Sequence, residues 1–389
     1  MVTRAFWHEA YTVGWVCALK CEFEAARLLL DEEHKSLAQP RGDDNIYLLG
    51  RMKGHNIVIA CVGMGTSAAA HAAANLLRTF PNIRFGLTVG IGGGAPLAPD
   101  TSDPRKDIRL GDVVVSTAKD SHGGVVQYDK GKMMHDGTFA IASHLNKPPT
   151  ILSQAVVRLQ SNHVLGKGKM TRYINKIGKL ANQQDNLSDY RFPGRDRDFL
   201  FKPDYPHAGG RDCSTCDVGQ LHARLDRKSN DPVVHYGLIG SSNTVMKSAR
   251  CRDTLRSDWN VLCFETEAAG LMDNFPCVVI RGISNYSDDH KNDDWRPYAA
   301  VVAAEYAKDL LRVIEPEQVD NIDTVVIEVT RRFVRYWRQR KSRAIGLLWI
   351  ITHGRTMEKS SEVKRKKCGS TVPLAISWLR THSHSTNST

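Results

Sequence analysis

The sequence lacks the features that would place the chain in a membrane or outside the cell. It has no apolar run near the roughly 20 residues that span a bilayer, and its most apolar late stretch, 344–351, is too short. The first 20 residues lack the basic, apolar and small-residue regions of a secretory signal peptide. We therefore expect an intracellular protein, cytoplasmic by default, with no membrane partner.

A disulfide framework and an internal repeat are also missing. The nine cysteines are odd in number and several lie inside apolar, strand-like runs, which is typical of reduced, buried thiols. Cys213 and Cys216 have the spacing of half a zinc site, but no second CxxC or HxxxH follows at a standard distance. We therefore expect a plain loop pair and no metal, and the alternative is a metal site completed by His222 or Cys251.

The net charge of +11 belongs to the C-terminal end of the chain. From Arg331 onward, fourteen basic residues stand against two acids, a net of +12, so residues 1–330 carry about −1. The tail interleaves arginines with aromatic residues and carries KRKK from Lys364 to Lys367, a pattern that favours nucleic-acid binding or nuclear import. The alternative is a solvated or non-functional tail, and elsewhere we expect no nucleic-acid partner.

Apolar runs typical of strands alternate with helical patterns through most of the chain. Strands are predicted at 12–19, 56–62, 85–90, 112–116, 233–239, 261–264 and 277–282, and helices at 22–31, 66–80, 267–272 and 298–314. This alternation predicts an α/β sheet covered on both faces. We divide the chain into a domain at 1–315, with a loop-rich, partly helical insertion at about 125–230, and a basic tail at 316–389, partly helical and then disordered.

Two glycine-rich turns stand where a ligand could approach the backbone. Residues 61–66 read CVGMGT before a helix, and 89–96 read VGIGGGAP after a strand. Such turns place backbone amides and a helix start toward an anion or a sugar hydroxyl. Neither run has the spacing of a dinucleotide or phosphate loop, and a tight turn without a ligand is the simpler alternative.

Three acids and one polar cluster follow apolar strands. Glu265 and Glu267 flank Thr266, and strand alternation sends both carboxylates to one face, where they suit the two hydroxyls of a cis-diol. Glu22 follows the first strand, where a carboxylate could activate water, or could simply favour a helix start. Residues 277–292, CVVIRGISNYSDDHKN, place a polar cluster at the exit of a strand, which favours a site over a plain surface loop.

The order of these motifs resembles one family. GWVCALKCEFEAA, VGMGTSAAA, VGIGGGAP, LGDVVVS, HYGLIGSSNTV and CFETEAAGLMDNFPCVVIRGIS resemble the superfamily of purine and uridine phosphorylases and methylthioadenosine/S-adenosylhomocysteine nucleosidases. YTVGWVCALKCEFEAARLLLDEEH and LNKPPTIL are similar to the fungal version, which often lies N-terminal in NACHT or NB-ARC proteins. The resemblance implies a three-layer α/β/α fold with a mixed, partly barrel-like sheet.

The same resemblance implies roles for individual residues and needs no cofactor. Glu22 and Asn285 take catalytic positions, and Glu265, Thr266 and Glu267 take ribose-binding positions. The base or anion pocket is assigned to Gly65, Gly90, Ile91, Gly92, Ile239, Ser241 and Asn243. A purine nucleoside is the expected ligand, and a homo-oligomer is the expected assembly.

Two positions depart from the family pattern. Asn285 replaces the aspartate that assists departure of the base, and Thr266 replaces a methionine. An amide cannot deliver a net proton, so general-acid catalysis should be weakened. Thr88 and Ile91 stand where hexameric phosphorylases hold phosphate, and a neutral pair suits a dianion poorly. Hydrolysis is therefore the leading interpretation, with phosphorolysis and silent nucleoside binding as alternatives.

Overall fold

The computed structural model describes residues 6–97, 106–118, 122–142 and 144–331. Contacts divide the chain into one unit from Met1 to Val329 and a second from Thr330 to Thr389. The aromatic and arginine-rich run and the KRKK motif lie outside the described residues. The division at residue 315 stays a prediction, and the first compact unit continues past it.

Strands supply the frame of the first unit. Their bounds are β1 (Val13–Cys17), β2 (Glu32–Glu33), β3 (Tyr47–Met52), β4 (His55–Cys61), β5 (Phe85–Gly94), β6 (Val113–Ser116), β7 (Val125–Gln127), β8 (Gly131–Met133), β9 (Phe139–Ile141), β10 (Val234–Ser241), β11 (Val261–Glu265) and β12 (Cys277–Asn285). All seven strands predicted from apolar runs coincide with β1, β4, β5, β6, β10, β11 and β12.

Helices connect and cover these strands. Their bounds are α1 (Lys20–Leu28), α2 (Thr66–Thr79), α3 (Thr150–Val164), α4 (Met170–Gln183), α5 (Ala249–Trp259), α6 (Ala268–Leu271), α7 (Arg296–Arg312) and α8 (Pro316–Asp320). No helix in the described ranges is long and apolar enough to cross a membrane.

The main sheet is mixed and partly closed. Its order is β11-β10-β6-β12-β5-β1-β4-β3-β2, and β7 pairs with β10. Cys263 and Phe264 of β11 pair with Gly94 and Gly93 of β5, so β5, β12, β6, β10 and β11 form a closed ring. This topology confirms the expected α/β class with a partly barrel-like sheet.

Helix α7 packs closely against the buried strand β12. All nine residues of β12 are buried, as in a strand with a neighbour on each side, and α7 covers β5 and β12. Gly282 permits this approach, because a Cβ there would lie 1.9 Å from the carbonyl oxygen of Ala299 on α7. The close packing fixes the end of β12, from which the polar cluster projects.

A buried ion pair anchors the start of β6. The Asp112 carboxylate contacts Arg227 Nη1 at 2.6 Å and His235 Nε2 at 3.0 Å. These contacts hold the pKa of Asp112 well below its usual range despite its burial. His235 thus has a structural partner, and Arg227 ties the far end of the insertion to the sheet.

The segment 125–230 contains more regular structure than its sequence indicates. Its first strand, β7, belongs to the main sheet, and α4 buries Met170, Ile177 and Ala181 against the domain. The sequence indicates helical periodicity near 149–163, where α3 lies, but it did not lead us to predict α4. The signal for α4 was present, because its apolar residues recur at helical spacing: Met170, Tyr173, Ile174, Ile177, Leu180 and Ala181. The loops after α4 lead back to the segment that follows β12.

Candidate active site

A cavity of about 160 Å³ lies where β1, β5, β11 and β12 end. The turn after β1 and the segments after β11 and β12 form its wall. Seven residues predicted from the sequence line it: Glu22, Ile91, Gly92, Glu265, Thr266, Glu267 and Asn285. The strands that carry them are far apart in sequence, and the closed ring brings their ends together.

Glu22 is fixed by three backbone amides. Its Oε2 accepts hydrogen bonds from Ala18 N at 2.7 Å and Leu19 N at 2.9 Å, and its Oε1 accepts one from Ile91 N at 2.7 Å. The Leu19 bond is the helix-start bond of a first-turn glutamate, whereas the Ile91 bond comes from β5. Burial raises the pKa of Glu22, and the opposing influence of Arg281 is smaller.

Gly90 makes room for this carboxylate. A Cβ at position 90 would lie 2.4 Å from Glu22 Oε1 and 2.5 Å from Arg281 Nη1. Real Cβ atoms essentially never approach other atoms so closely, so any larger residue would displace both groups. The glycine-rich turn therefore serves the site by leaving space, and Gly90 does not itself line the cavity.

Arg281 links the two predicted ribose glutamates. Its Nη2 lies 2.5 Å from Glu265 Oε2 and 3.2 Å from Glu267 Oε2. Burial raises the pKa of Glu265, although Arg281 opposes this, and the two acids together raise the pKa of Arg281 above its usual value. A buried arginine paired in this way holds both carboxylates in fixed positions.

The two glutamates differ in how readily their carboxylates can accept a new hydrogen bond. Glu265 accepts further hydrogen bonds from Glu267 N at 3.0 Å and Ala268 N at 2.9 Å, so its carboxylate is fully engaged. Glu267 Oε1 accepts hydrogen bonds from the Thr266 hydroxyl and from Gly65 N at 3.3 Å. A diol hydroxyl can replace the Thr266 hydroxyl on Glu267 more readily than it can replace backbone amides on Glu265.

Asn285 is held by two serines at the end of β12. Its Nδ2 donates to Ser284 Oγ at 3.0 Å, and its Oδ1 accepts from Ser287 N at 3.0 Å. The two acids that follow do not line the cavity: Asp288 contacts Arg252 at 3.3 Å, and Asp289 accepts from His207 N at 2.9 Å. Neither acid stands in for the missing aspartate.

Five residues predicted for the pocket lie outside its wall: Gly65, Gly90, Ile239, Ser241 and Asn243. Ser241 Oγ accepts from Ala269 N at 3.0 Å, and Asn243 Oδ1 accepts from Thr66 N at 3.0 Å. Ile239 is fully buried in the core. These side chains fix the starts of α6 and α2 behind the wall, so they support the cavity from outside it.

Several wall residues were not predicted from the sequence: Ala18, Leu19, Met64, Gly93, Thr244, Val245, Met246, Phe264, Ser284, Ser287, Lys291 and Arg296. The apolar members supply a surface suited to the face of a planar base, whereas Lys291 and Arg296 bring positive charge. Arg281 was also missed, although a charged residue inside the apolar run CVVI-R-GI was a visible signal.

The CxxC pair lies elsewhere, because neither Cys213 nor Cys216 lines this cavity. A second cavity of about 910 Å³ lies beside α1, α4 and α7, and it contains none of the predicted site residues. On its wall, Glu305 is fully buried, and its carboxylate oxygens have no hydrogen-bond partner among the described residues.

Among the known proteins that this chain resembles are two sequence relatives that differ in length. No protein-family model matches the chain. It is 45% identical over 314 residues to a nucleotide-binding leucine-rich repeat (NLR)-like protein of Hyaloscypha variabilis, covering 79% of this chain and 30% of that protein. It is 23% identical over 311 residues to a 5'-methylthioadenosine/S-adenosylhomocysteine nucleosidase of Mycobacterium tuberculosis, covering 78% of this chain and 97% of that enzyme.

One similar solved structure is that of a 5'-methylthioadenosine/S-adenosylhomocysteine nucleosidase of Neisseria meningitidis in complex with methylthio-immucillin-A. It shares 18% identity, with a TM-score of 0.49 over 78% of this chain and 99% of that one. The chain thus spans nearly all of the nucleosidases but only 30% of the NLR-like relative.

Proposed function

Since this chain carries a domain of the nucleoside phosphorylase and nucleosidase superfamily, we propose that it cleaves the N-glycosidic bond of a purine nucleoside with water as the nucleophile. The observation that carries the proposal is the convergence of Glu22, Glu267 and Asn285 on one cavity. A base for water, an acceptor for the ribose and a donor for the leaving base are the groups that this reaction needs.

Glu267 is the ribose-binding group in this proposal. Its carboxylate lies on the cavity wall, held by Arg281 on one oxygen and bonded by Thr266 on the other. When the diol enters, its hydroxyl takes the place of the Thr266 hydroxyl and donates to Glu267. Glu265, engaged by two amides and by Arg281, positions Arg281 and contacts the sugar less.

Glu22 is the general base. Three amide donors fix its orientation, and its raised pKa makes it a better acceptor for a proton of water than an exposed glutamate. As the glycosidic bond lengthens, positive charge develops on the ribose, and the Glu22 and Glu267 carboxylates stabilise that charge electrostatically. Water then adds to the anomeric carbon, and its proton passes to Glu22.

Asn285 assists the leaving base without protonating it. Its amide Nδ2 can turn from Ser284 to donate a neutral hydrogen bond to N7 of the purine. The missing general acid costs about 10²–10⁴-fold in rate, so we expect slow turnover compared with an enzyme that has aspartate there. The apolar wall residues Met246 and Phe264 contact the base.

Phosphorolysis is the second candidate because two cations line the cavity. Lys291 and Arg296 could attract a phosphate dianion. Against this, Thr88 is buried and its hydroxyl donates to Cys277 Sγ at 3.3 Å, so this hydroxyl is not available to bind phosphate. A dianion beside Glu22 would also meet like charge, which favours water.

A catalytically silent nucleoside-binding module is the third candidate, and Asn285 is the reason for it. The NLR-like relative gives it a context, since such a module could report a ligand within a larger protein. As in the superfamily, we expect a homo-oligomer, which size-exclusion chromatography with light scattering would test. Localisation in the cytoplasm or nucleus remains a proposal that imaging of the tagged chain would test.

The deciding experiment incubates the full chain with adenosine, inosine, guanosine or methylthioadenosine, with and without phosphate, and follows free base by chromatography. Release without phosphate supports hydrolysis, and release only with phosphate overturns it in favour of phosphorolysis. Binding without release supports the silent module.

The variant Asn285→Asp tests whether Asn285 is the reason for weak catalysis at an otherwise complete site. Ser287 N can still donate to the new carboxylate, and the Ser284 hydroxyl can turn to donate as well. We expect base release to rise by about 10²–10⁴-fold. An inactive Asn285→Asp variant that still binds nucleoside would contradict the proposed role of this position.

A further inference from the structure

Three metal-binding side chains meet outside the candidate active site. Ligand atoms of His207, Cys213 and Cys216 all lie within 4.8 Å of one another. The two cysteines are 7% and 8% exposed, and a tight turn joins them through a hydrogen bond from Cys216 N to Cys213 O at 3.1 Å. Two cysteines and a histidine are a donor set typical of zinc.

The distances are close to those of a bound ion. With Zn–S bonds of about 2.3 Å and Zn–N bonds of about 2.0 Å, tetrahedral geometry puts ligand atoms roughly 3.5–3.8 Å apart. Atoms within 4.8 Å of one another need to move inward by about 1 Å at most.

The ring of His207 is oriented as a zinc ligand would be. Its Nε2 donates to the carbonyl oxygen of Asp212 at 3.0 Å. Zinc-binding histidines usually donate their second ring N–H to a carbonyl or carboxylate, which fixes the ring and the tautomer. The lone pair of Nδ1 accepts a hydrogen bond from Gly209 N at 3.1 Å, and binding the ion through Nδ1 would replace that hydrogen bond.

We propose that His207 Nδ1, Cys213 Sγ and Cys216 Sγ bind one Zn²⁺ ion, with a water molecule as the fourth ligand. The partner of the CxxC pair is therefore a histidine before it in sequence. Among the described residues, potential metal ligands form two groups, this one and a second one of Asp288, Asp289 and His290. His222 and Cys251, the alternatives raised by the sequence, belong to neither group. Cys251 is exposed on α5.

The site would brace the segment that follows β12. Asn292 Nδ2 lies 3.9 Å from Cys213 Sγ, and the Cys213 thiol lies 3.7 Å from the carbonyl oxygen of His290. Between these two residues, Lys291 lines the candidate active site. The ion would thus hold the insertion against one wall of that cavity, a positioning role that does not depend on which reaction the cavity performs.

Zinc would also account for two buried thiols in this loop. Zinc binding replaces the thiol protons and releases them to solvent. Proton release on addition of zinc is therefore a second signature of the site.

The test measures zinc in the full chain, prepared without a metal-affinity tag. The wild-type protein should contain about one zinc per chain by elemental mass spectrometry, and titration of the chelated protein against a chromophoric competitor gives its affinity. Cys213→Ser and His207→Ala should lower that affinity by more than about 100-fold, since second-shell changes alone cost 10–100-fold. Cys251→Ser is the matched control and should bind zinc as the wild type does.

Cobalt substitution keeps the test valid if a variant folds poorly. A thiolate-to-cobalt charge-transfer band in the wild type, lost in Cys216→Ser and kept in Cys251→Ser, supports the site. Equal zinc affinity in Cys213→Ser and Cys251→Ser would overturn the proposal. So would a Cys213–Cys216 disulfide that forms in the purified protein and persists when zinc is added under reducing conditions.

Discussion

Replacing Glu22 with glutamine separates the structural and the catalytic contributions of one carboxylate. The carboxylate accepts three backbone hydrogen bonds, two on Oε2 and one on Oε1. Glutamine has a single carbonyl oxygen, which can keep the Ala18 and Leu19 bonds if it takes the Oε2 position. The Ile91 N–H would then face an NH₂ group, and one unpaired buried donor costs about 1–3 kcal/mol of unfolding free energy.

The expected loss of activity is larger than this loss of stability. Without a general base, base release should fall by about 10²–10⁴-fold. Nucleoside affinity should stay within a few-fold, because Glu267 and Thr266 are unchanged.

The pH profile gives an independent check of the role of Glu22. Only the ionised carboxylate accepts a proton, so activity falls as the pH drops through its pKa. Burial raises that pKa, which places the acid limb above the pH expected for an ordinary glutamate. Glu22→Gln should lack this limb.

The assay is single-turnover release of base, with urea unfolding measured on the same samples. Glu317→Gln is the matched control, because Glu317 is exposed on α8 and should leave both quantities unchanged. If the wild type binds without turnover, the same comparison is made in the Asn285→Asp background. A Glu22→Gln variant that folds and keeps its rate within tenfold would refute Glu22 as the base.

Three further substitutions test other parts of the structure. Gly90→Ala puts a methyl group within 2.5 Å of Glu22 and Arg281, so the unfolding free energy should fall by about 1–3 kcal/mol. Base release should also fall compared with a well-folded control variant. A wild-type rate would show that the turn is not tightly packed. Asp112→Asn breaks a buried ion pair and should lower the unfolding free energy by about 3–5 kcal/mol. Because the pKa of Asp112 is lowered in the folded state, the difference from the wild type is complete above the unfolded pKa and becomes smaller as the pH falls. An equal difference at all pH values in urea titrations would contradict the pairing. Glu305→Gln should stabilise the protein, because burial raises the pKa of Glu305 to about 9 and the wild-type folded state loses stability as the pH rises above the unfolded pKa. The gain in unfolding free energy should be larger at pH 8 than at pH 5. A variant that is destabilised at pH 8 would indicate a partner for this carboxylate.

The sequence predicts the main elements because their signals are local. Apolar runs that end in glycine or polar residues locate β1, β5, β11 and β12. The alternation expected to put Glu265 and Glu267 on one face does not apply, because β11 ends at Glu265 and Glu267 stands at the start of α6. The order of motifs identifies the family, and the ends of parallel strands indicate where the site lies. Each motif is a pattern of residues close together in sequence, although the order of the motifs extends along most of the chain.

What the tertiary structure decided depends on contacts between distant segments. Pairing of β11 with β5 closes the ring, and only this closure brings Arg281 of β12 onto both glutamates. Loop conformation matters as well as sequence distance. Lys291 and Arg296 are close in sequence to Asn285, and His207 is close to Cys213, yet only the folded loops show that these side chains belong to the same sites. Local periodicity determines which residues face the core, whereas strand register and loop packing determine which of them meet. The residues at the strand ends were therefore predictable one at a time, but their partnerships followed only from the closed sheet.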